Sequence, residues 1–325
     1  MKRLIIVLII LLTTSCQALT NINESKLHEY ITYNVTERQI PKLYRNDPLP
    51  DLPLQAEAAI LIDQATGDIL FEKETTKTLP VASMSKIMTE LIILEALQEG
   101  TISWDDTVAI SDYAYTISRQ PGFASVQLEK DQTYTVKELF YAMAIHSANG
   151  ATIALAEAVS RNEKDFVKRM NQKAKQLQLH DSHFVNSTGL TNKDLQNQHP
   201  MGDVNDTNEM SAKDLATLTT YIIDKFPDIL QITEMPEFVF KDETYENSNW
   251  MLPEVNVDFI DEDITFPGVD GFKTGFTHEA GYGFTGAVEI NGIRFISVVI
   301  GTEKLEDRFL ETKLLYETIM KQFRD

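Results

Sequence analysis

Asn291-Gly292 constrains this chain more than any other dipeptide in it. Both residues accept positive φ, so the pair closes a two-residue type I′ turn. The apolar runs on either side, 282–290 and 293–300, must then fold back on each other as antiparallel strands. A third run at 269–276 precedes them, and a closing helix is predicted over about 305–323. Near the other end, Ala58-Ala59-Ile60-Leu61-Ile62-Asp63 and Ile69-Leu70-Phe71-Glu72 flank the turn Ala65-Thr66-Gly67-Asp68 as a second hairpin. Between the two hairpins the patterns are helical. One helix starts near Ser83, carries Ile87, Leu91, Leu94 and Leu97, and stops at Gly100. Thr135 and Glu138 form a capping box for a helix running into Ser147. Further helices are predicted over 151–159, 163–179 and 212–223, the last capped by Ser211 with Asp214. At 325 residues and 43% hydrophobic, the chain has core material for one large domain or two small ones. The expectation is an α+β fold: a five-stranded antiparallel sheet drawn from both termini and flanked by a helical cluster.

The N-terminus reads as an export signal over 1–18. Lys2 and Arg3 are followed by a nine-residue apolar run, 4–12, short of the roughly 20 residues a spanning helix needs. Three endings are compatible with it. Cys16-Gln17-Ala18 offers cleavage after Ala18, and Cys16 offers lipid attachment, against which Thr13 stands where a lipobox has leucine. The third is an uncleaved anchor. Cys16 is the only cysteine, so the domain beyond it has no disulfide and no thiol chemistry. Residues 19–55, polar and punctuated by Pro41, Pro48, Pro50 and Pro53, read as a tether, leaving 56–325 as the domain. Loss of residues 1–18 removes Lys2 and Arg3 and no acid, moving the formal charge from −20 to −22. Such an acidic domain is unsuited to nucleic acid or anionic lipid.

Three short stretches carry chemistry. Ser83-Met84-Ser85-Lys86 puts a hydroxyl and an amine three residues apart, on one helical face. A serine hydroxyl is a weak nucleophile until a base takes its proton, and lysine is such a base once burial or a nearby cation lowers its pKa. The helix N-terminus would also set positive backbone charge beside an oxyanion at Ser83. Ser147-Ala148-Asn149 falls between two apolar helices, where a hydroxyl can relay a proton and an amide can orient a substrate carbonyl and the lysine. Lys273-Thr274-Gly275 lies on a predicted strand that sends Lys273 and Gly275 to one face. Glycine inside a strand marks a close approach by another backbone or a ligand. A peptide added beside it would present its terminal carboxylate to Lys273 and Thr274. Each stretch alone has a plainer reading, as helix cap, loop or surface lysine. Ser-x-x-Lys arises about once by chance at this length, and Ser160-Arg161-Asn162, which also fits Ser-x-Asn, reads as a cap for the helix at Glu163. The ordered set points to serine acyl transfer without histidine.

On these residues the chain resembles the low-molecular-mass penicillin-binding proteins, the serine-type D-alanyl-D-alanine carboxypeptidases of bacterial cell walls. The likeness runs over 56–323. It includes Pro80-Val81-Ala82 before Ser83, the stretch His183-Phe184-Val185-Asn186-Ser187-Thr188-Gly189-Leu190, Asn247-Ser248-Asn249, and Val269-Asp270-Gly271-Phe272 before Lys273. The resemblance implies a β-lactamase/transpeptidase-like fold with Ser83 as acylated nucleophile and Lys86 as its base. Ser147 and Asn149 would assist proton transfer and hold substrate, and Lys273, Thr274, Gly275 and Phe276 would bind it. The backbone N–H groups of Ser83 and Phe276 would form the oxyanion hole. It further implies peptidoglycan stem peptides as substrate, β-lactams as covalent inhibitors, no cofactor, and a place outside the cytoplasm. Two departures stand out. The family often has an aspartate after Ser-x-Asn-x, whereas here Gly150 and Ala151 follow Asn149. Many members also carry a second β-domain and an amphipathic C-terminal anchor, whereas this sequence stops at Asp325, so attachment is expected at the N-terminus.

Other readings share parts of this pattern. A serine β-lactamase needs a carboxylate for its deacylating water, and Glu-x-x-Leu-Asn is absent; Glu243 to Asn247 has the spacing but places Glu246 where leucine belongs. A penicillin-sensing module with a dead site would keep the fold but has no reason to keep every motif side chain. A zinc peptidase built on His180, His183 and His199 lacks the His-Glu-x-x-His spacing, and His28, His146 and His278 add no ligand pattern.

Overall fold

A computed structural model describes residues 47–323 except 256 and 258; the expected export segment and residues 19–46 of the expected tether lie outside the described residues. The N-terminal half contains β1 (Ala58–Asp63), β2 (Ile69–Lys73), β3 (Leu79–Pro80), α1 (Lys86–Gln98), β4 (Thr107–Ala109), α2 (Asp112–Ser118), β5 (Thr133–Thr135), α3 (Val136–His146), α4 (Asn149–Ser160) and α5 (Glu163–Gln176). Then come β6 (Glu209–Met210), α6 (Ala212–Lys225), α7 (Ile229–Thr233), β7 (Glu237–Phe240), β8 (Glu243–Glu246), β9 (Val269–Thr277), β10 (Gly281–Ile290), β11 (Ile293–Thr302) and α8 (Asp307–Met320).

The expected sheet forms, antiparallel throughout, in the order β2-β1-β11-β10-β9. Ile290 pairs with Ile293 across a turn in which Asn291 has φ 52° and Gly292 φ 79°, the double positive φ that a type I′ turn requires. β1 joins the chain's beginning to its end by pairing with β11, so the sheet closes only when both termini are present. Every residue of β1 is buried, because both faces of the sheet are covered. Ile60, Ile296 and Val298 belong to the core shared with the helices, while Ser297 meets Tyr316 of α8 at 2.6 Å and Phe284 stacks edge-on against Phe309.

The helix of greatest consequence is α1. It is apolar almost all round and buried from Lys86 to Ala96, as a central helix must be. Burying Ile87, Met88, Leu91, Ile92 and Ile93, each at most 1% exposed, contributes roughly 1.5–3 kcal/mol apiece. Gly100, at φ 70°, ends it in a Schellman motif: its N–H reaches Leu97 O (3.1 Å) and the Thr101 N–H reaches Ala96 O (3.0 Å). The Thr135–Glu138 capping box is formed at the start of α3, and Ser211 and Asn162 cap α6 and α5. The helix expected at Ser83 begins later, at Lys86. Residues Ala82–Ser85 form a tighter 3-10 turn ahead of it. Residues 49–55 lie against the domain, with Leu49 and Leu54 buried and the Leu49 N–H donating to Leu70 O at 2.6 Å.

Candidate active site

The 3-10 turn decides where Ser83 stands. At three residues per turn, positions i and i+3 eclipse, which sets Lys86 directly over Ser83 with Nζ 2.9 Å from Oγ. Ala82, just before, is held at φ 47°, a left-handed conformation sustained only by its surroundings. Those surroundings include β9. A Cβ on Gly275 would sit 2.7 Å from Val81 O and 3.2 Å from Met84 N, so only glycine lets the strand press this closely on the turn. Ser83 is half-exposed and open to a ligand, whereas Lys86 is fully buried.

Lys86 Nζ lies within 2.7–2.9 Å of Ser83 Oγ, Asn149 Oδ1 and Thr188 O. As an ammonium it donates to all three. As a neutral amine it still donates to the amide and the carbonyl, and its lone pair faces the serine proton. Burial, followed by the charge of Lys273, holds it well below the usual lysine range, and Glu90 pulls the other way. That arrangement can draw a proton from a hydroxyl.

Asn149 begins α4, where its side-chain oxygen meets Lys86 and its Nδ2 donates to Ala124 O at 3.2 Å. Ser147 closes α3 in the left-handed region, φ 63°. Its Oγ is buried with no hydrogen-bond partner among the described residues. Gly150, one of the two residues after Asn149 where the chain departs from the family's common pattern, has a packing reason. A Cβ there would meet Ser118 Cβ at 2.6 Å and Ala114 O at 2.8 Å, so α4 can approach α2 only without a side chain at this position.

β9 is the edge strand of the sheet, leaving half its backbone groups unpaired by β10. Lys273 is 1% exposed, and its Nζ makes one long contact, 3.3 Å to Thr274 O. Burial lowers its pKa to about 8; Glu90 raises it and Arg308 lowers it further. Thr274 Oγ1 donates to Ser248 Oγ at 2.9 Å, tying the strand to the 247–249 loop. Phe276 turns outward, 42% exposed, and stacks on Tyr282 at 4.2 Å between centroids.

Ser83, Lys86 and Asn149 are thus joined by hydrogen bonds, while Lys273 reaches Lys86 through charge alone. Sequence reasoning missed Arg308, whose Nη1 lies 3.3 Å from Gly275 O, because nothing local distinguishes it from any arginine opening a helix. It also missed Glu90, whose signal was legible as an acid four residues after Lys86 in an apolar helix. Glu243 is exposed in the β7–β8 hairpin and accepts from Tyr245 Oη at 2.6 Å. Among the described residues no group of three His, Cys, Asp or Glu side chains is gathered to hold a metal.

Comparison with known proteins shows the family and the fold. A family model described as Peptidase_S11, D-alanyl-D-alanine carboxypeptidase, matches residues 45–304. The D-alanyl-D-alanine carboxypeptidase DacF of Bacillus subtilis is 34% identical over 273 residues, covering 84% of this chain and 64% of that protein. The chain therefore spans a little under two thirds of that relative's length. Among solved structures, a peptidoglycan synthesis regulatory factor (PBP3) from Streptococcus pneumoniae superposes with a TM-score of 0.77 at 34% identity, over 82% of this chain and 74% of its own. Penicillin-Binding Protein D2 from Listeria monocytogenes, in its cefotaxime-bound form, gives 0.70 at 32% identity, over 83% of this chain and 99% of its own. The penicillin-binding-protein fold expected from the motifs is the fold these neighbours carry.

Proposed function

The chain belongs to the S11 peptidases, the D-alanyl-D-alanine carboxypeptidase family, and from that premise we propose that it removes the terminal D-alanine from peptidoglycan pentapeptide stems through an acyl-enzyme on Ser83. Lys86 takes the Ser83 proton as Oγ attacks the carbonyl of the penultimate D-alanine. The backbone N–H groups of Ser83 and Phe276 receive the oxyanion. The amide bond breaks as a proton passes through Ser147 to the leaving amine, and D-alanine departs. Water then attacks the ester and returns the Ser83 hydroxyl. Lys273 and Thr274 hold the terminal carboxylate before it leaves, against Gly275, while Asn149 orients Lys86 and the substrate.

The observation that carries this reading is the pairing of a half-exposed hydroxyl with a buried amine of lowered pKa, 2.9 Å apart. The relative solved in a cefotaxime-bound form supports β-lactam binding by this chain. Mass spectrometry of the purified protein tests it. D-alanine should be released from a D-Ala-D-Ala-ended peptide, a β-lactam adduct should map to Ser83, and both should vanish in Ser83→Ala. An adduct on another residue would overturn the assignment.

A stem-peptide substrate places the domain outside the cytoplasm. None of the described helices is long and apolar enough to cross a membrane, and Cys16 in the N-terminal segment offers a lipid attachment that can be tested. Release of the protein from membranes by Cys16→Ala would identify lipidation. Wild type found free with Leu19 as its first residue would identify cleavage after Ala18 instead.

A further inference from the structure

Among the described residues, two buried groups of opposite charge near Ser83 make no ion pair. Glu90 lies one helical turn beyond Lys86, so the two side chains share a face of α1. It is 0% exposed, and both its carboxylate oxygens are buried without a hydrogen-bond partner among the described residues. Lys273, on the strand facing that helix end, is 1% exposed and has only the 3.3 Å contact to Thr274 O. A buried carboxylate without donors is among the most costly groups a core can hold unless a cation balances it, and the same applies to a buried ammonium.

Burial raises the pKa of Glu90 to about 8, against the pull of Lys273 and then Lys86, and among the described residues it is the only carboxylate acting on either lysine. Arg308 also opposes a positive charge on Lys273, and His146 is held low by burial and, more weakly, by Lys273. The helices packed around α1 spend their charges elsewhere. Lys173 and Lys225 pair with Glu95, Glu163 accepts from Ser187, and Asp214 accepts from Ser182.

We propose that Glu90 is the compensating carboxylate of the two-lysine site, a positioning residue that sets how many protons Lys86 and Lys273 hold together. The need arises in the reaction proposed above, on which this inference rests. When Ser83 gives up its proton, Lys86 becomes an ammonium under the charge of Lys273, and both amines are buried. An ionised Glu90 lowers the cost of that second charge. When Lys86 returns the proton, Glu90 again balances Lys273 alone. The three groups titrate as a unit, with Glu90 ionised in the state where both lysines are charged.

The test is the pH profile of acylation by a fluorescent penicillin, measured on the full chain for wild type, Glu90→Gln and Glu90→Asp. Gln keeps the volume and removes the charge. Without the anion, both lysines release their protons more readily, and both limbs of the profile should move to lower pH by about one unit or more. At the alkaline end the rate constant should fall about tenfold or more, while at the acid end it should equal or exceed wild type. Asp should restore the wild-type limbs. A uniform loss with unmoved limbs would mean that Glu90 serves packing alone, and an unchanged profile would also overturn the proposal. If Glu90→Gln fails to fold, difference infrared spectra of wild type decide. A buried carboxyl band should titrate in step with the acylation limbs, and its absence refutes the coupling. Penicillin acylation with no D-alanine release at all would instead count against the carboxypeptidase reading and leave this test intact.

Discussion

The contact between Gly275 and the Ser83 turn can be broken by a single methyl group. In Gly275→Ala the new Cβ would lie 2.7 Å from Val81 O, where ordinary contact begins at 3.4 Å, so strand and turn must part by roughly 0.7 Å. The atoms on the turn's side are largely backbone, Val81 O and Met84 N, and cannot rotate away. Separation on that scale moves Ser83 relative to the N–H of Phe276, the two donors assigned to the oxyanion. A displacement approaching 1 Å at reacting atoms costs about 10²-fold in rate, and the overpacking adds about 1–3 kcal/mol of destabilisation. Stopped-flow acylation by a fluorescent penicillin measures the first, and thermal or urea unfolding the second. Two other glycines separate the causes. In Gly283→Ala the nearest atom is Met84 Cε at 2.4 Å, the mobile tip of a side chain, so the loss of rate should be smaller. Gly67→Ala meets nothing within 4 Å at φ 75°, and should lower stability slightly while leaving acylation unchanged. If Gly275→Ala acylates within about threefold of wild type while folded, the close approach does not position the nucleophile.

Lys86→Arg should lower acylation by roughly 10²–10⁴, because guanidinium cannot serve as a base at this pH; a rate near wild type would identify another base. For the wild-type enzyme the rate constant should rise with pH as Lys86 loses its proton and fall above about 8 as Lys273 loses its own, since Lys86 works neutral and Lys273 works charged. A rate still climbing well above pH 9 would refute the assignment of Lys273. Thr135→Ala removes the cap that accepts from Glu138 N at 3.1 Å and should cost about 1 kcal/mol in urea unfolding without changing acylation.

Much of this protein was legible in short-range patterns. Alternation, the Asn291-Gly292 turn and the capping box at Thr135 act over a few residues, and they specified the three C-terminal strands, the first hairpin and α3. The weaker elements escaped because local preference does not decide them. β4 and β5 are three residues each and exist through their pairing, and α2 is seven residues held by its packing on α4. The start of α1 was misread for a related reason. Composition favoured helix from Ser83, but the pressure of Gly275 against Val81 and Met84 winds that segment into a 3-10 turn.

The chemistry divides along the same line. Residue types and their order named Ser83, Lys86, Ser147, Asn149 and Lys273, because each step of acyl transfer needs a particular functional group. Whether the amine is basic, whether a carboxylate balances it, and which carbonyl holds it depend on burial and on contacts between distant segments. Thr188 is 102 residues from Lys86, yet its carbonyl is 2.7 Å from Nζ. Arg308 reaches Gly275 across 33 residues. The sequence alone determined which groups are present. The tertiary structure determined their charge, because a lysine's proton affinity is set by the water it has lost and the charges the fold brings beside it.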